Sequence, residues 1–214
     1  MTRTRSVEFG RSASKRECIE LLAGVEGLHA EIVEEFPKFQ IFRKSDSRLM
    51  RAIDYVLRFV TFGRQSRFLT EYHTVLGDTL FVAPTWQTMD SRERIILLRH
   101  ERVHLRQRRK WGTVGMAFLY LIPFLPIGLA YGRAKLEWEA YQESLLATME
   151  LHGLETACSA MLRECIVRRF TGPDYAWMWP FRRTVESWYD DHIEALRQLD
   201  SSSAQAKKLG TSNA

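Results

Sequence analysis

Apolar side chains return every three or four residues along most of this chain, the spacing that lines one face of an α-helix. Cys18, Leu21, Leu22, Val25, Leu28, Ile32 and Phe36 form the first such stripe. Ser14 with Glu17 reads as its capping box, and Pro37 ends it. Leu49, Ile53, Val56, Leu57 and Val60 predict a second helix over Ser47–Phe62, closed by Gly63. The period then shortens. Between Phe68 and Val82, Tyr72, Thr74, Val75, Thr79, Phe81 and Val82 are strand formers around Gly77-Asp78, which predicts a short hairpin stopped by Pro84. The helical period resumes over Ser91–Lys110, with Asp90 as N-cap and Glu93 as its capping-box partner. It continues over Arg133–Leu151 and Leu154–Arg169, then from Pro180 through Val185, Trp188, Ile193 and Leu196. The fold class expected is mainly α, an α+β arrangement with a small β-hairpin beside the 91–110 helix.

Two stretches break this pattern. From Gly112 to Tyr131 the chain carries no charge, and Arg106, Arg108, Arg109, Lys110, Arg133 and Lys135 flank it. Its length would permit a membrane span, but Pro123 and Pro126 divide it into two short halves. Residues 112–131 therefore read as a hydrophobic hairpin insert, either buried in protein or in contact with an anionic membrane surface. The second stretch, Phe170–Pro180, is a loop dense in aromatics, read as a lid over a cleft or a plug on the core.

With 214 residues and 45% hydrophobic content, the chain can bury one sizeable core. Residues 1–13 read as a flexible basic arm, 14–198 as a single domain and 199–214 as a disordered tail. Three cysteines (Cys18, Cys158 and Cys165) are too few for a disulfide framework and no secretory signal is apparent, which points to a cytoplasmic protein, peripheral to or inserted in the cytoplasmic face of a membrane if 112–131 meets lipid.

The chemistry concentrates in His100-Glu101-Arg102-Val103-His104, an H-E-x-x-H sequence well inside the 91–110 helix. Positions four apart lie on one helical face, about 6 Å along the axis. Two imidazoles so spaced can reach one Zn2+ through a ring nitrogen each, at roughly 2.0–2.1 Å. Glu101, about 100° around the helix from His100, stands beside such an ion and can accept a proton from a water activated there. His73 and His152 read as structural histidines.

A third ligand has to come from a later helix. A third histidine at H-E-x-x-H-x-x-G-x-x-H spacing is excluded, since Gln107 and Lys110 occupy those positions. Glu137 and Glu139 on the 133–151 helix both remain as candidates. They lie about 200° apart around that helix, so only one can face the metal. His100, His104 and Glu137 would form a His₂Glu site with an open fourth position.

The pair H-E-x-x-H-x-x-Q and Glu137-Trp138-Glu139-Ala140-Tyr141 resembles the gluzincin metallopeptidases, in particular the HtpX and CAAX prenyl protease type and related small bacterial H-E-x-x-H proteins. The resemblance covers about Leu97 to Leu145 and implies a zincin-like metallopeptidase domain with Glu137 as the ligand. Those families carry E-x-x-A-D on the later helix, and Tyr141 stands here in place of the aspartate that orients a zinc-bound histidine.

The function expected is a zinc-dependent metallohydrolase, a peptidase acting on a peptide or protein substrate. Glu101 would be its general base and Tyr175 a candidate donor to the oxyanion. A degenerate zinc-binding structural or regulatory protein is the alternative. A nucleic-acid-binding role is not expected, although Arg92, Arg94, Arg99, Arg102, Arg106, Arg108 and Arg109 crowd one helix, because they point all around it and no recognition motif accompanies them.

Overall fold

The computed structural model describes residues 15–60, 67–121, 129–172 and 178–211. Mainly helical, it carries a small three-stranded sheet. The expected arm, the closing Gly63, residues 122–128 of the apolar insert and Tyr175 in the aromatic loop lie outside the described residues.

Helix α1 (Lys15–Glu35) stops two residues before Pro37, whose ring cannot continue it. Strand β1 (Gln40–Arg43) follows, then a short 3-10 turn over Lys44–Asp46 and helix α2 (Arg48–Val60). The expected hairpin is present as β2 (Thr74–Leu76) and β3 (Thr79–Val82). Its turn places Gly77 at φ 64°, a conformation that side chains with a Cβ rarely adopt. The sequence pattern did not show β1, which pairs parallel with β3 from Gln40↔Thr79 to Arg43↔Val82. The strand order β1-β3-β2 puts β3, the strand leading toward the H-E-x-x-H helix, in the middle of the sheet. Both its edges are already paired.

Asp90 and Glu93 form a reciprocal cap at the start of α3 (Ser91–Leu121): Glu93 N donates to Asp90 Oδ1 at 2.8 Å and Asp90 N to Glu93 Oε2 at 3.2 Å. The helical run extends past the expected end at Lys110 to Leu121, broken at Gly112, whose φ of 70° and ψ of 167° kink it. Helix α4 (Leu129–His152) starts four residues earlier than the charged stretch suggested and runs antiparallel to α3. This direction follows from the contacts, since Arg99 meets Glu143 while Gln107 meets Leu136. Among the described residues, no helix is long and apolar enough to cross a membrane.

The expected single helix from Leu154 to Arg169 is two: α5 (Leu154–Ala157) and α6 (Ala160–Thr171). The break falls at Cys158-Ser159, where the Ser159 hydroxyl accepts from Leu162 N at 3.3 Å and so caps a new helix. Helix α7 (Arg182–Thr211) begins two residues after Pro180 and corrects the expectation of a disordered tail from residue 199. There Ser201, Ser202 and Ser203 donate to carbonyls three or four residues back, so small polar side chains are satisfied within the helix.

Two cores flank the α3–α4 pair. On one side Ile32, Phe36 and Phe39 pack with Leu80 and Val82 of β3 and with Leu98 and Leu105 of α3. On the other, Trp138, Tyr141 and Leu145 of α4 pack with Phe170 of α6 and Val185, Tyr189 and Ile193 of α7. The arginines of α3 tie these layers together. Arg99 pairs with Glu143 and Glu150, Arg92 with Glu17, and Arg108 with Asp78. Arg94 donates to the Gln87 carbonyl at 3.3 Å.

Glu35, at the end of α1, gathers three of them. Its oxygens accept from Arg102 Nε at 2.8 Å, from Arg106 Nε and Nη2 at 2.8 Å each and from Arg109 Nη2 at 3.1 Å. The Arg106 hydrogen bonds, joined by Arg102, outweigh burial and hold the Glu35 carboxyl at about 2. A folded-state value below the unfolded one contributes stability above the usual carboxylate range, and that stability is lost as pH falls from 4.5 toward 2. Glu35→Gln should therefore cost about 1–3 kcal/mol at pH 7. Urea melts check this: the deficit shrinks at pH 3, whereas an equal deficit at both pH values would assign it to packing.

Candidate metal centre

His100 and His104 lie one turn apart on α3, and Glu137 faces them from α4. One ligand atom from each lies within 4.8 Å of the others. His104 Nε2 is 3.2 Å from His100 Nε2 and 3.8 Å from Glu137 Oε2. Glu139 does not share the cluster. Its carboxylate points to Gln107, whose Nε2 donates to Glu139 Oε2 at 2.9 Å and to the Leu136 carbonyl at 2.8 Å. Of the two glutamates left open by spacing, the geometry selects Glu137.

The hydrogen-bond partners fix the histidine tautomers. Both Gln107 Nε2 bonds go to acceptors, so Gln107 Oε1 is the atom that meets His104 Nδ1 at 2.9 Å, and an amide oxygen can only accept. His104 Nδ1 therefore carries a proton. Ser144 Oγ donates to the Ala140 carbonyl at 3.1 Å, so its lone pair accepts from His100 Nδ1 at 2.9 Å. With both Nδ1 atoms protonated, the two Nε2 atoms face each other across 3.2 Å, where a proton on His104 makes a hydrogen bond to His100 and two bare lone pairs would repel. Such a contact is repulsive unless a proton or a metal cation lies between them. A carboxylate on the third side suits a divalent cation, and two imidazoles with one carboxylate are a donor set that zinc accepts.

Charge around the cluster is finely balanced. Burial holds His100 well below the usual imidazole range, helped by His104 and Arg169. Burial also pulls His104 down, but Glu137, Glu101 and the Gln107 hydrogen bond outweigh it, so His104 lies above that range. Glu101 is 6% exposed, and burial pushes its carboxyl up to about 7, assisted by Glu137 and opposed by His104 and Lys44. A carboxyl held near neutrality beside two imidazoles can both take and return a proton.

Two residues of α4 meet the His100 ring. The Tyr141 ring packs edge-on against His100, with centroids 5.1 Å apart, while its hydroxyl accepts from Arg169 Nη1 at 3.0 Å. Ser144, one turn further along α4, orients His100 instead. Its place seven residues after Glu137, on the same helical face, was a signal available in the sequence. Gln107, three residues after His104, stood in the H-E-x-x-H-x-x-Q pattern, but its hold on the His104 ring did not. Lys44 had no signal. It is fully buried after β1 and donates to the Phe68 and Tyr72 carbonyls at 2.9 Å each and to Thr74 Oγ1 at 2.8 Å, which fixes the wall that raises the potential near Glu101.

His73 is structural, as expected: its Nδ1 accepts from Ala83 N at 3.3 Å. His152 ends α4 and does not join the cluster. Comparison with family models, with curated proteins and with solved structures finds no match.

Removing the hydroxyl that orients His100 should weaken divalent-metal binding without dismantling the fold. Ser144→Ala is expected to lower zinc affinity by about 10- to 100-fold, measured by competition with a chromophoric chelator, with helical content unchanged. Unaltered affinity would show that Ser144 does not set the ring.

Proposed function

We propose that the protein is a zinc-dependent hydrolase, a peptidase in which His100, His104 and Glu137 hold the metal. The observation carrying this reading is the convergence of His100 Nε2 and His104 Nε2, 3.2 Å apart, with the buried Glu137 carboxylate beside them. Zinc, when bound, supplies Lewis acidity that polarises a carbonyl and lowers the pKa of water toward neutrality. The remaining steps belong to the chain. Glu101, buried and held near 7, takes a proton from the attacking water and returns it to the leaving amine. Gln107 and Ser144 keep both imidazoles turned inward through the cycle. Arg169 and Tyr141 put a cation and a hydroxyl on the His100 side, where negative charge that develops on a substrate oxygen is favoured. Tyr175 is the candidate second donor to that oxygen.

A zinc-binding module without hydrolysis is the second reading. It is favoured by Tyr141 in place of the aspartate and by a central β3 that offers no free edge to an extended peptide. The two readings separate in one experiment. Purified wild type, His104→Ala and Glu137→Ala are assayed for bound zinc, and wild type and Glu101→Gln for cleavage of a peptide library. Stoichiometric zinc in wild type, lost in both ligand variants, is expected. Glu101→Gln should retain zinc while its turnover falls by about 10²–10⁴-fold. Full zinc with no cleavage by wild type would leave only the module; wild type without zinc would remove both.

A further inference from the structure

We propose that α2 is a membrane-surface helix whose outer apolar face docks on an anionic lipid bilayer. The inference is independent of the metal centre. Leu49, Ala52, Val56 and Phe59 recur at three- and four-residue spacing and so share one face, with Tyr55 at its margin. That face is turned outward: Leu49 is 52% exposed, Val56 56%, Tyr55 75% and Phe59 77%. The inward side contains Met50 but also Asp54, buried and paired with Arg58 Nε at 2.7 Å. A surface helix of a globular protein normally buries its apolar stripe against the core, whereas Leu49, Val56 and Phe59 stay outside here.

Charge selects the occupant. Arg48 and Arg51 are exposed on α2 itself and Arg58 is about half exposed. Of the two nearby acids, Asp54 is buried against Arg58, which leaves Asp46 as the exposed one. The outward surface of α2 is therefore apolar and cationic. A second copy of the chain meeting it about a two-fold axis would set like charges against like. An anionic bilayer satisfies both features: the Phe59, Val56 and Leu49 side chains enter the boundary between headgroups and acyl chains, and the arginines meet lipid phosphates. Lying in the interface in this way needs no membrane-crossing helix.

Flotation of the full chain with vesicles tests the assignment, using phosphatidylcholine alone and phosphatidylcholine mixed with phosphatidylserine. The protein is expected to float with the mixed vesicles only, and less so as salt is raised. Val56→Asp with Phe59→Asp should cut the bound fraction by about tenfold while Tm and zinc content stay at wild-type values. Four results would overturn the proposal. These are failure of wild type to float, undiminished flotation of the variant (which would assign binding to residues outside α2), a fall in the variant's Tm, which would mean the face is packed by the chain itself, and a wild-type dimer that the variant dissociates.

Discussion

Two imidazole Nε2 atoms held 3.2 Å apart are the constraint on which the centre of this molecule depends. Two bare lone pairs at that distance would repel, so a proton, for which His104 is the more basic ring, or a cation has to lie between them. Neither ring can turn. Gln107 and Ser144 hold the opposite nitrogens, and each is itself anchored to a main-chain carbonyl of α4, at Leu136 and Ala140. The helix that supplies the carboxylate also supplies the anchors. A positive charge between α3 and α4 relieves the repulsion, and its absence would be felt on both helices together.

The frame around the cluster is correspondingly stiff. Arg99 fastens α3 to α4 through Glu143 and Glu150, on the turn next to His100. Arg102, Arg106 and Arg109 fasten α3 to the end of α1 through one carboxylate. Partly buried ion pairs of this kind add little to stability individually, because desolvation offsets much of the attraction. Their effect lies in direction and register. Sliding α3 along α4 by one turn would unpair several of them at once. The arginines that on sequence alone resembled a nucleic-acid footprint are thus engaged within the chain, as cross-braces for the helix that carries both histidines.

How much could be read beforehand follows from what is local. The capping box at Asp90, the turn at Gly77-Asp78 and the stop at Pro37 are decided by a few neighbouring residues, and these appear as expected. His100, Glu101 and His104 share one helix, so their spacing suffices to place them together. Glu137 against Glu139 could not be decided from spacing, because the rotation of α4 is set by Trp138 and Tyr141 packing on α6 and α7, far along the chain. Strand β1 was hidden for the same reason. Its four residues, Gln40–Arg43, carry no alternation that would mark them, and they are a strand because β3 offers them a parallel partner. The serine-rich end of α7 went wrong in the other direction, since side-chain bonds to preceding carbonyls made a polar run compatible with a helix.

Lys44 joins these parts. It follows β1 directly and opens the 3-10 turn that leads into α2, so only three residues separate it from the first residue of that helix. Its ammonium is saturated by three acceptors from the segment leading into β2, and it lies near enough to Glu101 to oppose the rise in that carboxyl's pKa. A charge buried this completely persists only where its surroundings are fixed, since any lost acceptor would leave it uncompensated. The sheet, the entry to α2 and the electrostatics of the general-base candidate are therefore set by one side chain.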